Sequence, residues 1–168
     1  MMLEIALDAD EEWDSRSVWL PLARKAAEAA IAESEYPELT ELERPVEISV
    51  TLIGDEQVRA LNAKWRGKDK HTNVLSFPMA DERDLSRANV AVSELLLGDI
   101  VLARGVCETE AAEKGVPVEQ HATHLLVHGT LHLLGYNHHE ERDASDMEAR
   151  EIRALKRLGI ANPYEVTA

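Results

Sequence analysis

Residues 128–138 read His-Gly-Thr-Leu-His-Leu-Leu-Gly-Tyr-Asn-His, and this stretch leaves the chain few ways to fold. His128 and His132 stand four apart, so on a helix they leave the same face, about 40° apart around the axis. Gly135 accepts a positive φ, which stops that helix and turns the chain back. His138, three residues beyond, then approaches the same point from outside the helix. Three neutral imidazoles around one point, with a coordination position left over, suit a catalytic zinc ion better than a closed structural one, with one ion per chain.

Neighbouring histidines divide around this centre. His124 lies one turn upstream on the same face and is a candidate for holding a ligand or a substrate group from behind. His139 competes with His138 for the third place, and the three-residue step after Gly135 favours His138. His121 and His71 lack this geometry and are expected at the surface. The spacing reproduces that of the metzincin peptidases with one omission: the Glu that serves those enzymes as general base, directly after the first His, is Gly129 here. A peptidase-like metal hydrolase therefore keeps its metal cradle but loses its base.

The rest of the chain alternates strand and helix signals. Residues 2–8 alternate as a strand, and Trp19, Leu22, Ala23, Ala26 and Ala30 form a helical stripe in which Pro21 is tolerated only in the first turn. A Pro-bounded connection spans 36–45. The β-branched run 46–53 is a strand, followed by a helix capped by Asp55 and ending near Trp65. Residues 66–72 make a basic loop, 74–77 a short strand ended by Pro78, and 79–89 a polar, irregular, mobile loop. A strand over 98–103, a helix over 103–114, the histidine helix over 118–134 and a last helix over 143–158 complete the chain. The last helix turns Ala144, Met147, Ile152, Leu155 and Leu158 inward. Four strands interleaved with helices give a single α+β domain over 1–168, α/β-like, with a mixed sheet flanked by helices. The zinc site then lies on a central helix and the turn that follows it.

Length and composition fit that domain, since 168 residues with 45% hydrophobic content are enough for one core. No apolar run is long enough to span a membrane, and the N-terminus lacks a basic segment followed by an apolar one. Cys107 is the only cysteine, which excludes an internal disulfide and suits a reducing cytoplasm as a small buried side chain. A net charge of −14 repels nucleic acid in general. Yet 57–71 gathers Arg59, Lys64, Arg66, Lys68 and Lys70 against Asp69 alone. Such a strip is either a solvated helix end or a guide that brings a polyanion to one place.

Three blocks resemble signatures of the bacterial YbeY family. They are Arg66-Gly67-Lys68-Asp69-Lys70-His71-Thr72-Asn73-Val74-Leu75-Ser76-Phe77-Pro78, then Leu97-Gly98-Asp99-Ile100-Val101, then the histidine segment from His124 to His138. The likeness runs in order from about residue 46 to 158. It departs at Asn137, where the family usually has Asp; an Asn still hydrogen-bonds but brings no negative charge. The resemblance implies a metal-dependent, single-strand-specific endoribonuclease that matures ribosomal RNA, notably the small-subunit 3′ end, and serves ribosome quality control. It implies His128, His132 and His138 as zinc ligands and Arg66 as the residue needed for activity. Lys64, Lys68 and Lys70 become candidates for RNA contact, and ribosomal RNA with the ribosome or its small subunit the partner, with no DNA or membrane. Glu140, Glu141 and Asp143 are assigned to a helix N-terminus rather than to catalysis. A non-catalytic ribosome-assembly factor, in which zinc organises a binding surface, is the remaining alternative.

Overall fold

Period-two alternation builds the sheet. Val46, Ile48, Val50 and Leu52 are buried while the residues between them are half-exposed, the pattern of a strand with one fully covered face. The computed structural model describes residues 3–13, 16–42, 45–86 and 94–164. They form β1 (Leu3–Ala9), α1 (Arg16–Ala32), β2 (Val46–Ile53), α2 (Asp55–Arg66), β3 (Val74–Pro78), α3 (Glu82–Ser86), β4 (Leu95–Ala103), α4 (Arg104–Lys114), α5 (Val118–Leu133) and α6 (Glu141–Arg157). The sheet order is β1-β2-β4-β3, parallel from β1 through β4, with β3 antiparallel on its edge. The expected mixed four-stranded α+β domain is what the chain forms.

α1 and α5 lie against one face of the sheet and α6 packs on both. Ala23, Ala26, Ala27 and Ala30 are buried in α1, so small side chains let these helices approach closely. On the other face Val58 of α2 closes over Leu75, Val101 and Ala103. The histidine helix is therefore central, buried along most of its length between sheet and helices.

Several local expectations are corrected. Asp55 does not cap α2: Gly54 holds the cap position, and its N–H donates to Gln57 Oε1 at 3.1 Å. The Asp55 carboxylate instead accepts the N–H of Val106 at 3.0 Å, capping α4 from another helix. Gly105 makes room for this, since a Cβ there would overlap the Asp55 carboxylate. Pro21 sits past the first turn of α1, on its exposed side, where it forgoes one helical hydrogen bond. The segment 79–89 contains the helix α3 with Leu85 buried, and its positions 87–89 lie outside the described residues. Met2 and positions 43 and 44 also lie outside them.

β4 begins at Leu95 rather than at Gly98, because Gly98 is a kink inside the strand and not its start. The pairing with β2 shifts register there, φ is 142°, and a Cβ would collide with the Phe77 carbonyl and Leu133. Cys107 is fully buried, and burial pushes its thiol up to about 12, so it stays protonated and inert. Among the described residues no helix is long and apolar enough to cross a membrane.

Candidate metal centre

The end of α5 and the turn after it deliver the three imidazoles. Gly135 takes φ 97°, its N–H donates to the His132 carbonyl at 3.0 Å, and the Tyr136 N–H donates to the Leu131 carbonyl at 3.0 Å. The Asn137 side chain then accepts the N–H of His139 at 3.2 Å, a tight turn that places His138. Asn keeps the acceptor that an Asp would offer at this position and gives up only the charge. His128, His132 and His138 each present a nitrogen, and these atoms all lie within 4.8 Å of one another. His139 is exposed and outside the cluster.

Their protonation is set from behind. His128 Nδ1 donates to Glu151 Oε1 at 2.8 Å, and His132 Nδ1 donates to the Tyr136 carbonyl at 2.8 Å. A carbonyl accepts only, and so does an ionised carboxylate, so each ring keeps its proton on Nδ1 and turns a lone pair outward from Nε2. The two Nε2 atoms are 3.0 Å apart. Two lone pairs at that distance repel unless a cation lies between them. A tetrahedral centre with metal–nitrogen bonds of about 2.0–2.1 Å needs nitrogens about 3.3 Å apart, so the donor set fits a metal ion. Burial, then the neighbouring His128, holds His132 down at about 4, neutral and ready to ligate.

Glu151 is the residue that sequence reading missed. It is fully buried on α6 and lies four residues after Met147, on the inner face where Ile152 was expected and is only half-buried. Burial pushes its carboxyl up, but the hydrogen bonds from His124 and His128 outweigh this and hold it down at about 2. His124 Nε2 lies 3.2 Å from Glu151 Oε1, so His124 backs the carboxylate rather than the metal itself. The Tyr164 hydroxyl donates to Glu151 Oε2 at 2.9 Å. The only sequence signal was an acidic residue on an otherwise apolar stripe.

Glu151→Gln keeps the shape but loses the charge that makes His128 a better base. Metal affinity should fall about tenfold or more with the fold intact, read by competition against a chelator of known affinity. Unchanged affinity would leave Glu151 a packing residue only.

Gly129 also finds its reason. α5 packs on the sheet through this position, where a Cβ would lie 3.0 Å from Ile100 Cγ2 and 3.1 Å from Ser76 Oγ. A side chain here would point at the sheet and require Ile100 and Ser76 to give way, which disfavours a Glu at the place of the peptidase base. Across β3, Arg66 at the end of α2 donates from a terminal guanidinium nitrogen to the Ser76 carbonyl at 2.6 Å and lies 5.6 Å from the Phe77 ring centroid. Arg66 is thus tied to the strand on which α5 packs beside His128.

Lys64, Lys68 and Lys70 are exposed and make no ion pair among the described residues, whereas Arg59 is held by Asp69 at 2.8 Å and Glu56 at 3.7 Å. His71 is exposed and pairs with Glu56 at 3.3 Å. His121, expected at the surface, is buried and bonded to Glu110 at 2.9 Å, because α4 covers that turn of α5. Glu140 makes no side-chain cap, while Glu141 and Asp143 occupy the first turn of α6, where they act on the helix dipole.

Known proteins resemble this chain over nearly its whole length. The family model described as Endoribonuclease YbeY matches residues 10–159. The chain is 49% identical over 168 residues to the endoribonuclease YbeY of Rhizorhabdus wittichii, covering 99% of both chains. It is 48% identical over 165 residues to that of Sphingopyxis alaskensis, covering 97% of this chain and 98% of the other. The solution structure of TM1509 from Thermotoga maritima shares the fold with a TM-score of 0.54 at 20% identity, covering 97% of this chain and all of that one.

Proposed function

This chain belongs to the YbeY family of endoribonucleases, and on that premise we propose that it cuts single-stranded ribosomal RNA with one zinc ion held by His128, His132 and His138. The observation that carries the reading is the pair of outward Nε2 lone pairs, each fixed by an acceptor behind its ring. A zinc ion held by these three imidazoles would supply Lewis acidity for phosphodiester cleavage.

The chain's own groups do the rest. Glu151 and the Tyr136 carbonyl hold the rings in their ligating tautomer. Arg66, anchored by the Ser76 carbonyl, offers its other N–H donors to the phosphate and stabilises charge gathering on phosphorus. Lys64, Lys68 and Lys70 draw the RNA backbone to this one place on an acidic protein. The substrate is small-subunit RNA near its 3′ end, met on the ribosome or its small subunit in the cytoplasm, in maturation and in quality control.

A single-stranded fragment of that RNA should be cut by the purified protein and a duplex of the same sequence spared. A chelator should stop cleavage, added zinc should restore it, and His128→Ala should lack it throughout. Cleavage that survives chelation sinks the zinc reading. RNA bound but never cut would make the protein an assembly factor.

A further inference from the structure

Three tryptophans sit in very different places. Trp13 and Trp19 are 0% and 2% exposed, whereas Trp65 is 63% exposed at the end of α2. A lone exposed apolar side chain is ordinary on a protein surface. This one is set apart by its neighbours. Lys64 Nζ stands 4.9 Å from the ring centroid, and Arg66 follows directly. Gly67 then closes the helix with φ 68°, and Lys68 and Lys70 follow on the turn. Lys64, Arg66, Lys68 and Lys70, which have no carboxylate partner among the described residues, thus flank one open indole along the chain, in a protein of net charge −14.

An aromatic face among backbone-binding cations is how unpaired bases are held: the cations take the phosphates and the ring takes a base, whatever its identity. We infer that Trp65 is a stacking platform for one unpaired base of the RNA, placed beside the Arg66 that meets its phosphate. This rests on the RNA reading above. It adds a physical source for single-strand preference, because a paired base keeps both faces inside its own helix and offers none to the indole.

The buried positions of Trp13 and Trp19 make the test direct, since a nucleic-acid base can reach only Trp65 among the three. A mixed-sequence single-stranded oligonucleotide with 2′-O-methyl riboses, its integrity checked by electrophoresis after the titration, is titrated against the metal-loaded protein. Binding is followed by anisotropy of a label on the oligonucleotide and, separately, by tryptophan emission. The single strand should quench emission as it binds and the matching duplex should not. Trp65→Phe should bind within about threefold of the parent, and Trp65→Ala should bind about five- to a hundredfold more weakly, the loss expected of one stacked base. Binding without quenching, with Trp65→Ala equal to the parent, overturns the platform and leaves the RNA reading standing. No binding of either strand form overturns both.

Discussion

Replacing His132 with Ala should leave a protein that folds but no longer keeps its metal. The parent is expected to retain about one zinc per chain after exchange into buffer with a mild chelator, and the variant only a small fraction. One of three protein ligands is lost, and apparent affinity should drop on the order of a hundred- to a thousandfold. The ring is half-buried and its Nδ1 bonds only to the Tyr136 carbonyl, so its removal costs little packing. Elemental analysis measures the effect, and circular dichroism of both proteins checks the fold. Zinc undiminished in the variant would remove His132 from the ligand set.

Arg66→Lys should retain zinc and fold while losing most RNA cleavage, by about a hundredfold or more under single-turnover conditions at saturating protein. A guanidinium is a planar fork, and Arg66 can spend one donor on the Ser76 carbonyl while keeping others for phosphate. An ammonium keeps the charge but has no fixed plane, and it cannot bridge strand and substrate in the same geometry. Lys68→Ala should behave differently: binding weakens and becomes less salt-dependent, while the saturated cleavage rate stays close to the parent's. Equal cleavage by Arg66→Lys and the parent would reduce Arg66 to one more charge in a guiding patch.

The convergence of the three imidazoles was legible because its geometry is local. A helix puts His128 and His132 on one face, and Gly135 at φ 97° brings His138 back to them. The alternation of β2 and the β-branched content of the strands were legible for the same reason, since one residue after another reports the face it occupies. Where a residue serves a distant element, local pattern misled. Asp55 read as a cap for its own helix but caps α4, 51 residues away in sequence. His121 read as a surface residue but is buried, because α4 lies over it.

Sequence by itself determined that three imidazoles converge, because backbone helix and turn geometry fix side chains a few residues apart. Only the tertiary structure decided which nitrogen of the His128 ring is left free to ligate. That choice depends on hydrogen-bond acceptors brought in by packing. Glu151 arrives from α6, 23 residues beyond His128, and is held in turn by His124 and by Tyr164. Packing also gave Gly129 its physical reason, since a Cβ there would press on Ile100 and Ser76.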